Sequence, residues 1–321
     1  MGCVVGVDLG GSAIRVGRVS GDGAVEGLAR VRHGGFPQPR DAVDRIVRAV
    51  EKSAGGEPID AVGVGVAAWV ERASGYIARA PNLGWIDVPL GELLHRRLNV
   101  PVVVHNDLKA IAWGEYRFGA GRHARELLAV FVGTGVGGAV ISDGVLQLGA
   151  RGFYGEIGHV RVGPDDGPQC GCGRHGCLEA YVGGSALARR AEEARAQGKL
   201  KRLASHTGEV TADDLERAAN AGDPDAQRLL EQGGELLGRV LGSMVTFLNP
   251  DVLLLGGGVW ASSEHVKDAV RLGIDLTSHP DFRRSVRIVD GALGDRAGVL
   301  GAADLARTAQ SPWHDENTRP R

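Results

Sequence analysis

Long hydrophobic runs are missing from this chain of 321 residues. No stretch approaches the roughly eighteen consecutive apolar residues of a membrane-crossing helix, so no membrane partner is expected. The opening segment MGCVVGVDLGG lacks the basic start and the apolar core of a secretory leader, and a cytoplasmic location is expected. An excess of charge of either sign is absent too. The formal net charge of −2 offers no electrostatic pull toward nucleic acid or an acidic membrane surface. No G-x-x-x-x-G-K-S/T occurs, which excludes a P-loop.

Glycine is what the chain has in excess, 51 residues without a collagen period or low-complexity run. That implies many tight turns and close backbone approaches to something small. Hydrophobic content of 43% and charge of 24% describe a soluble globular protein, long enough for two lobes.

Cysteine is scarce, and three of the four lie in one segment, GEIGHVRVGPDDGPQCGCGRHGCLE at 155–179. Ten residues separate His159 from Cys170, one separates Cys170 from Cys172, and four separate Cys172 from Cys177. Four N/S donors interleaved with Gly171, Gly173 and Gly176 can fold around one tetrahedral Zn²⁺. Buried thiols or a disulfide are the plainer readings. Three cysteines in a polar loop are poor core material, however, and a disulfide would leave one thiol over. His175 is a reserve ligand. Four protein ligands leave no open position, so the zinc is expected to be structural.

The chain opens with a strand Cys3 to Leu9, a turn at Gly10-Gly11-Ser12 and a second strand Ile14 to Val19. Ser20-Gly21-Asp22-Gly23 then leads by a hairpin into Ala24 to Arg32. Asp8 ends the first strand facing the glycine turn, whose N–H groups can approach phosphate and whose carboxylate can hold Mg²⁺. An Asp-capped hairpin is the commoner explanation of any one such turn. The phrase returns about 120 residues later: Leu127 to Val132, a turn through Gly133, Thr134, Gly135, Val136, Gly137 and Gly138, a returning strand Ala139 to Ile141, and Ser142-Asp143-Gly144 leading into Val145 to Leu148. Such repetition points to a duplication, with two lobes facing a cleft that can hold a polyphosphate. A dinucleotide-binding domain is excluded, because its glycine turn leads into a helix and both turns here lead into β-branched strand sequence.

Between the copies, Arg40 to Ser53 and Leu90 to Leu98 read as helices and Ile59 to Val66 as a strand. Asn82, between a proline and a Leu-Gly-Trp run, suits a ligand contact or a plain Asx turn. Val100 to Val104 runs into His105-Asn106-Asp107 and a helix Leu108 to Arg117. A carboxylate at that strand end is where α/β folds place ligands, and Asp107 is the candidate for chemistry with Asn106 beside it; an Asp that only caps the helix is the alternative. Farther on come a helix Ser185 to Gln197 capped by Ser185, one started by Thr211 with Asp214 in the capping-box position, and a long one from Pro224 to about Leu248. A strand Val252 to Leu255 enters the turn Gly256-Gly257-Gly258, leading to a helix near Glu264 to Leu272 that could flank a nucleotide. Val286 to Val289 reads as the last strand and Arg296 to Ala306 as the closing helix.

With these residues laid out, the chain resembles the ROK family of sugar kinases and repressors. The likeness runs from Asp8-Leu9-Gly10-Gly11 to Gly294-Asp295-Arg296-Ala297-Gly298, and its most specific parts are GEIGH at 155–159 and CGCGRHGCLE at 170–179. It implies an α/β fold of the duplicated two-lobe actin-like ATPase (ribonuclease H-like) class, with a zinc-binding loop in the second lobe. The expected division is an N-terminal lobe 1–112 joined by a closing helix at about 296–308, a C-terminal lobe 113–295 with the zinc loop at 159–177, and a disordered tail 310–321.

The resemblance also implies roles. Asp107 would be the general base that takes a sugar hydroxyl proton as the oxygen attacks the γ-phosphate of ATP. Asn82, Asn106, Glu156, His159 and Glu179 correspond to sugar contacts; Asp8, Gly10, Gly11 and Ser12 with Thr134, Gly135, Gly137 and Gly138 to phosphate binding; Gly256, Gly257 and Gly258 to adenosine; and His159, Cys170, Cys172 and Cys177 to zinc. The implied cofactors are ATP, Mg²⁺ and structural Zn²⁺, and the implied state is a homo-oligomer, dimer or tetramer. Glucose is the expected acceptor, with N-acetylmannosamine, N-acetylglucosamine and fructose as alternatives.

Gly65-Val66-Ala67-Ala68, Ser12-Ala13 and Leu108-Lys109 depart from the family's frequent patterns without removing a catalytic group, and such changes bear on which sugar is chosen. A sugar-sensing repressor would carry a helix-turn-helix ahead of the first glycine turn, and only seven residues precede Asp8. A zinc-ribbon nucleic-acid binder would surround its cysteines with basic and aromatic residues, whereas Asp165-Asp166 stand in this loop.

Overall fold

A computed structural model of the protein describes residues 2–34, 38–71 and 74–308, so the expected tail at 310–321 lies outside the described residues. The chain forms two compact units: Met1–Ala124 with Val145–Tyr154 and Gly291–Arg321, and Arg125–Gly144 with Gly155–Asp290.

The first unit is built on a sheet ordered Val25–Arg32, Ala13–Val19, Cys3–Leu9, Ile59–Val66, Val102–Asn106. The first three strands are antiparallel hairpins and the last two run parallel to Cys3–Leu9. Helix Pro39–Ala54 opens on proline, buries Val43, Ile46, Val47 and Val50, and stops at Gly55 with φ 64. Those four side chains recur at the spacing of one helical face, which is why the helix was legible. The closing helix Ala297–Thr308 lies on the same sheet at very short range. A Cβ on Gly6 would come within 2.0 Å of the Val299 carbonyl, and one on Gly63 within 1.8 Å of that of Ala302. Much of the glycine excess is thus spent on packing backbone against backbone rather than on ligands.

The boundary expected at 112 falls inside helix Asp107–Phe118, and the first unit instead continues to Ala124. That helix is held whole against Ala297–Thr308. Trp113 donates its indole N–H to the buried Asp304 carboxylate at 2.9 Å, and a Cβ on Gly301 would meet the Ala110 carbonyl at 1.7 Å. The first unit also contains a sheet not foreseen, Trp69–Val70, Ile77–Ala80 and Trp85–Val88. Strands of two to four residues are too short for alternation to stand out in sequence.

The second unit repeats the plan. Val136–Ser142 pairs antiparallel with Glu126–Val132, which is followed by the parallel strands Val252–Gly256 and Arg287–Asp290. This is the arrangement of Ala13–Val19, Cys3–Leu9, Ile59–Val66 and Val102–Asn106, so the duplication read from sequence exists in the topology. Helix Pro224–Leu248 runs as expected from its Asp223 cap to Asn249 at φ 48. Gly234, Gly238 and Gly242 bring it against Glu264–Thr277. Helix Ala212–Asn220 starts with the Thr211 and Asp214 capping box. Three short helices were not foreseen: Glu179–Val182, Gly258–Ser262 and Pro280–Ser285. Among the described residues, no helix is long and apolar enough to cross a membrane.

Candidate functional site

Asp107 stands where the parallel strand Val102–Asn106 gives way to a helix, as the first residue of that helix. The cap is Asn106, whose Oδ1 accepts from the N–H groups of Leu108 at 3.0 Å and Lys109 at 3.2 Å. Its Nδ2 donates to the Ala68 carbonyl at 3.2 Å, which leaves one amide hydrogen for a ligand. Asn106 therefore does the capping that could have occupied its neighbour, and Asp107 remains half-buried with Oδ1 accepting from Leu108 N–H at 2.9 Å. His105 precedes them. Burial and the nearby Lys109 ammonium push its pKa down to about 4, so the imidazole is neutral near pH 7.

The first glycine turn closes with Gly10 N–H on the Ala13 carbonyl at 3.0 Å. A side chain on Gly11 would meet nothing nearer than Asn82 Cβ at 3.7 Å, so the turn is open to a ligand and Asn82, exposed in the turn Pro81–Leu83, borders it. Asp8 lies buried beside this turn. Burial raises its pKa, and the Arg15 guanidinium at 3.2 Å works the other way. Arg15 also reaches Asp295 at 2.9 Å, just ahead of the closing helix.

In the second unit the glycine turn is shorter than the sequence suggested. Gly133 N–H closes on the Gly135 carbonyl at 2.9 Å, and Gly137 and Gly138 are already strand residues. A Cβ on Gly138 would meet the Ala129 carbonyl at 2.7 Å, so that glycine serves strand packing. The carbonyls of Gly133 and Thr134 accept from the N–H groups of Gly184 and Ser185 at 2.8 and 3.1 Å. Ser185 is consequently not the cap of the next helix, which runs Gly184–Ala196 with Gly183 ahead of it. The turn spends its carbonyls on a helix start, and Thr134 is exposed.

Glu179 is the hub of this half. Its Oε2 accepts from Val136 N–H at 2.9 Å and its Oε1 from the Cys170 thiol at 3.5 Å, so one carboxylate joins the glycine turn to the cysteine loop. This link was missed in sequence. The partners stand 43 positions apart, and the Val136 donor is a backbone group that leaves no mark in composition.

His159 ends the turn Ile157–His159, and the loop after it folds back through the bridges Arg161 to Cys177 and Gln169 to His175. Gly173 and Gly176 make the reversals at φ 91 and 73. The ligand atoms of His159, Cys170, Cys172 and Cys177 all lie within 4.8 Å of one another. Cys172 and Cys177 sulfurs are 3.8 Å apart, and Cys170 Sγ is 3.6 Å from His159 Nδ1. With Zn–S bonds near 2.3 Å, a tetrahedral site has edges of about 3.8 Å, so the donor set fits that ion. All four cysteines of the chain are free of disulfides. Burial pushes the Cys170 and Cys177 thiols up; at Cys172 burial is outweighed by hydrogen bonds from the Arg174 backbone and its sister thiols, and its pKa falls. His175 stays out of the cluster, with Nδ1 2.8 Å from the Gly167 carbonyl. Glu156, half-buried, immediately precedes the His159 turn.

The third glycine turn leaves strand Val252–Gly256 through Gly257 at φ 95. A Cβ there would lie 2.4 Å from the Val132 carbonyl oxygen. Gly258 begins a helix directly, Gly258–Ser262, ahead of the one expected near Glu264.

The chain is similar to known proteins over nearly its full length. Residues 4–309 match the ROK family. A glucokinase of Streptomyces coelicolor is 36% identical, over 96% of this chain and 98% of its own. Among solved structures, a ROK family glucokinase from Streptomyces griseus in complex with glucose and AMPPNP superposes with a TM-score of 0.82 at 35% identity, covering 96% of this chain and 100% of that one. A ROK hexokinase from Thermus thermophilus gives 0.80 at 31%, covering 95% and 98%.

Proposed function

The chain belongs to the ROK family, and on that premise we propose that it is an ATP-dependent hexose kinase that moves the γ-phosphoryl group of ATP to the 6-hydroxyl of glucose. The observation that carries this reading is Asp107, a half-buried carboxylate at a strand end in a chain similar to glucokinases over nearly all its length. Asp107 takes the hydroxyl proton as the oxygen attacks phosphorus. Asn82, Asn106, Glu156, His159 and Glu179 hold the remaining hydroxyls. The turns at Gly10-Gly11-Ser12 and Thr134-Gly135 receive the phosphates through backbone N–H groups, and the Gly256 to Gly258 turn flanks the adenosine. Mg²⁺, when bound with ATP, supplies neutralisation of the phosphate charge, and Asp8 would hold it.

The fit of the cysteine cluster supports zinc as a structural ion. His159 would ligate zinc through Nδ1, the nitrogen that faces Cys170 Sγ at 3.6 Å, and its other edge would be oriented for a sugar hydroxyl. Cys170 would ligate as a thiolate, which could not donate to Glu179 and would leave Oε1 for the sugar.

A cytoplasmic setting, where thiols stay reduced, agrees with this use of cysteine. Self-association is supported by exposed apolar side chains on two packed helices, Phe247 at 80% and Leu276 at 67% exposure.

The test is a coupled assay of ADP release with Mg-ATP and a panel of glucose, mannose, fructose, N-acetylglucosamine and N-acetylmannosamine. Glucose is expected to give the highest kcat/KM, and no ADP release with any of them would sink the kinase reading. A finer check uses Gly135→Ala, whose Cβ would come within 2.3 Å of Glu179 Oε2. The carboxylate end has to yield and loses its hydrogen bond from Val136 N–H, so the melting temperature should fall by a few degrees. Displacing that carboxylate should lower kcat/KM by about 10- to 100-fold, the scale of a lost hydrogen bond to a charged group.

A further inference from the structure

The small sheet in the first unit carries side chains that the proposed reaction leaves unused. Its residues Val70, Ile77, Ala80, Trp85 and Val88 are buried. Trp69 is registered against Arg79 and Arg79 against Ile86, so the three stand in one row on one face of the sheet. Ile86 is 66% exposed, Arg79 is exposed and Trp69 is half-buried. Phe153, from the segment Val145–Tyr154 of the same unit, packs on Trp69 with ring centroids 6.4 Å apart and planes tilted by 46°. Arg151 lies over the Phe153 ring at 5.1 Å and pairs with Glu71 at 2.7 Å. The ring pair is therefore braced in place before any ligand arrives, and little ordering is left to oppose binding.

Its position ties it to the hexose contacts. Ala68, which receives the Asn106 amide, immediately precedes Trp69. Asn82 lies in the turn that joins two of the strands, and Phe153 comes three residues before Glu156. A pyranose presents a flat array of C–H bonds on one face and hydroxyls at its edges. Rigid aromatic rings with guanidinium donors beside them match both features.

We propose that this face is a subsite for the second ring of a hexoside, a disaccharide or aryl glycoside joined at the anomeric carbon, whose first ring occupies the hexose site. The assignment rests on the hexose reading above. Substitution at that carbon leaves the 6-hydroxyl in place.

Calorimetric titration of the full chain with glucose, methyl and phenyl glucosides of both anomers, maltose and cellobiose tests it. At least one ring-bearing glycoside should bind about three- to tenfold more tightly than the methyl glucoside of the same anomer, the scale of an aromatic contact. Trp69→Ala and Phe153→Ala should each erase that preference and leave glucose affinity within about twofold, whereas Trp69→Phe should keep most of it. Glucose binding without any preference for the added ring would overturn the subsite alone. Loss of glucose and glycoside affinity in equal measure on Trp69→Ala would also overturn it, as would a fall in sedimenting mass marking the face as a contact between copies. Absence of all sugar binding in the unmodified protein would remove the hexose reading with it.

Discussion

Asp107→Asn protein is expected to release ADP with glucose about 10²- to 10⁴-fold more slowly than the unmodified protein, the usual worth of a general base. Glucose affinity should stay within a few fold. The substitution keeps the shape of the side chain and an oxygen able to accept from Leu108 N–H, as Oδ1 does now at 2.9 Å. It leaves the Asn106 cap intact, so the helix start should be unaltered and the loss confined to kcat. The coupled assay with a parallel calorimetric titration separates the two quantities. A residual kcat above about a tenth of normal would place the base elsewhere.

Removing zinc is expected to have the second largest effect. The loop that carries the ligands is held by backbone hydrogen bonds over a very small apolar core. Its apolar core is Cys170, Cys177 and Ala180 with Cys172 packed on them, and two isolated bridges are its only ladder among the described residues. Three thiolates crowded together without a cation would repel, so the loop without metal must protonate or open. Cys172→Ser, or chelation verified by metal analysis, should cost several kcal/mol and lower the melting temperature on the order of ten degrees. The KM for glucose should rise about 10- to 100-fold, as when the groups that orient a ligand are removed, with a smaller change in kcat. Unchanged melting and unchanged KM after complete removal would refute both the structural role and the coupling through His159 and Glu179.

The features most legible in the sequence were those written in local spacing. The four zinc-site donors, the Thr211 capping box and the run from Pro224 to Leu248 each lie within one continuous segment, and the structure has all three. Asp107 was legible as a strand-end carboxylate, but its release from capping depends on Asn106, and position alone could not divide the labour between them. Glycine was the residue most misread. Gly6, Gly63 and Gly301 face carbonyls of helices distant in sequence, and nothing near them in sequence distinguishes them from Gly11, whose added Cβ would meet only Asn82 Cβ at 3.7 Å. The Glu179 contact with Val136 was hidden for a similar reason, since a carboxylate finding a backbone donor across the fold has no periodicity to betray it.

The closing helix sets the order in which the protein can be made. Strands Cys3–Leu9 and Ile59–Val66 leave the ribosome first, yet the helix that covers their glycines is Ala297–Thr308, which follows only after the residues of the second unit. The first unit thus waits, one face of its sheet bare, while the residues of the second unit emerge and can fold as a continuous body apart from one short excursion. Contacts of such long sequence separation are slow to close and leave apolar strands open to aggregation in the interval. Termination just ahead of Ala297 would spare Asp107 and still leave the nascent protein a client of chaperones.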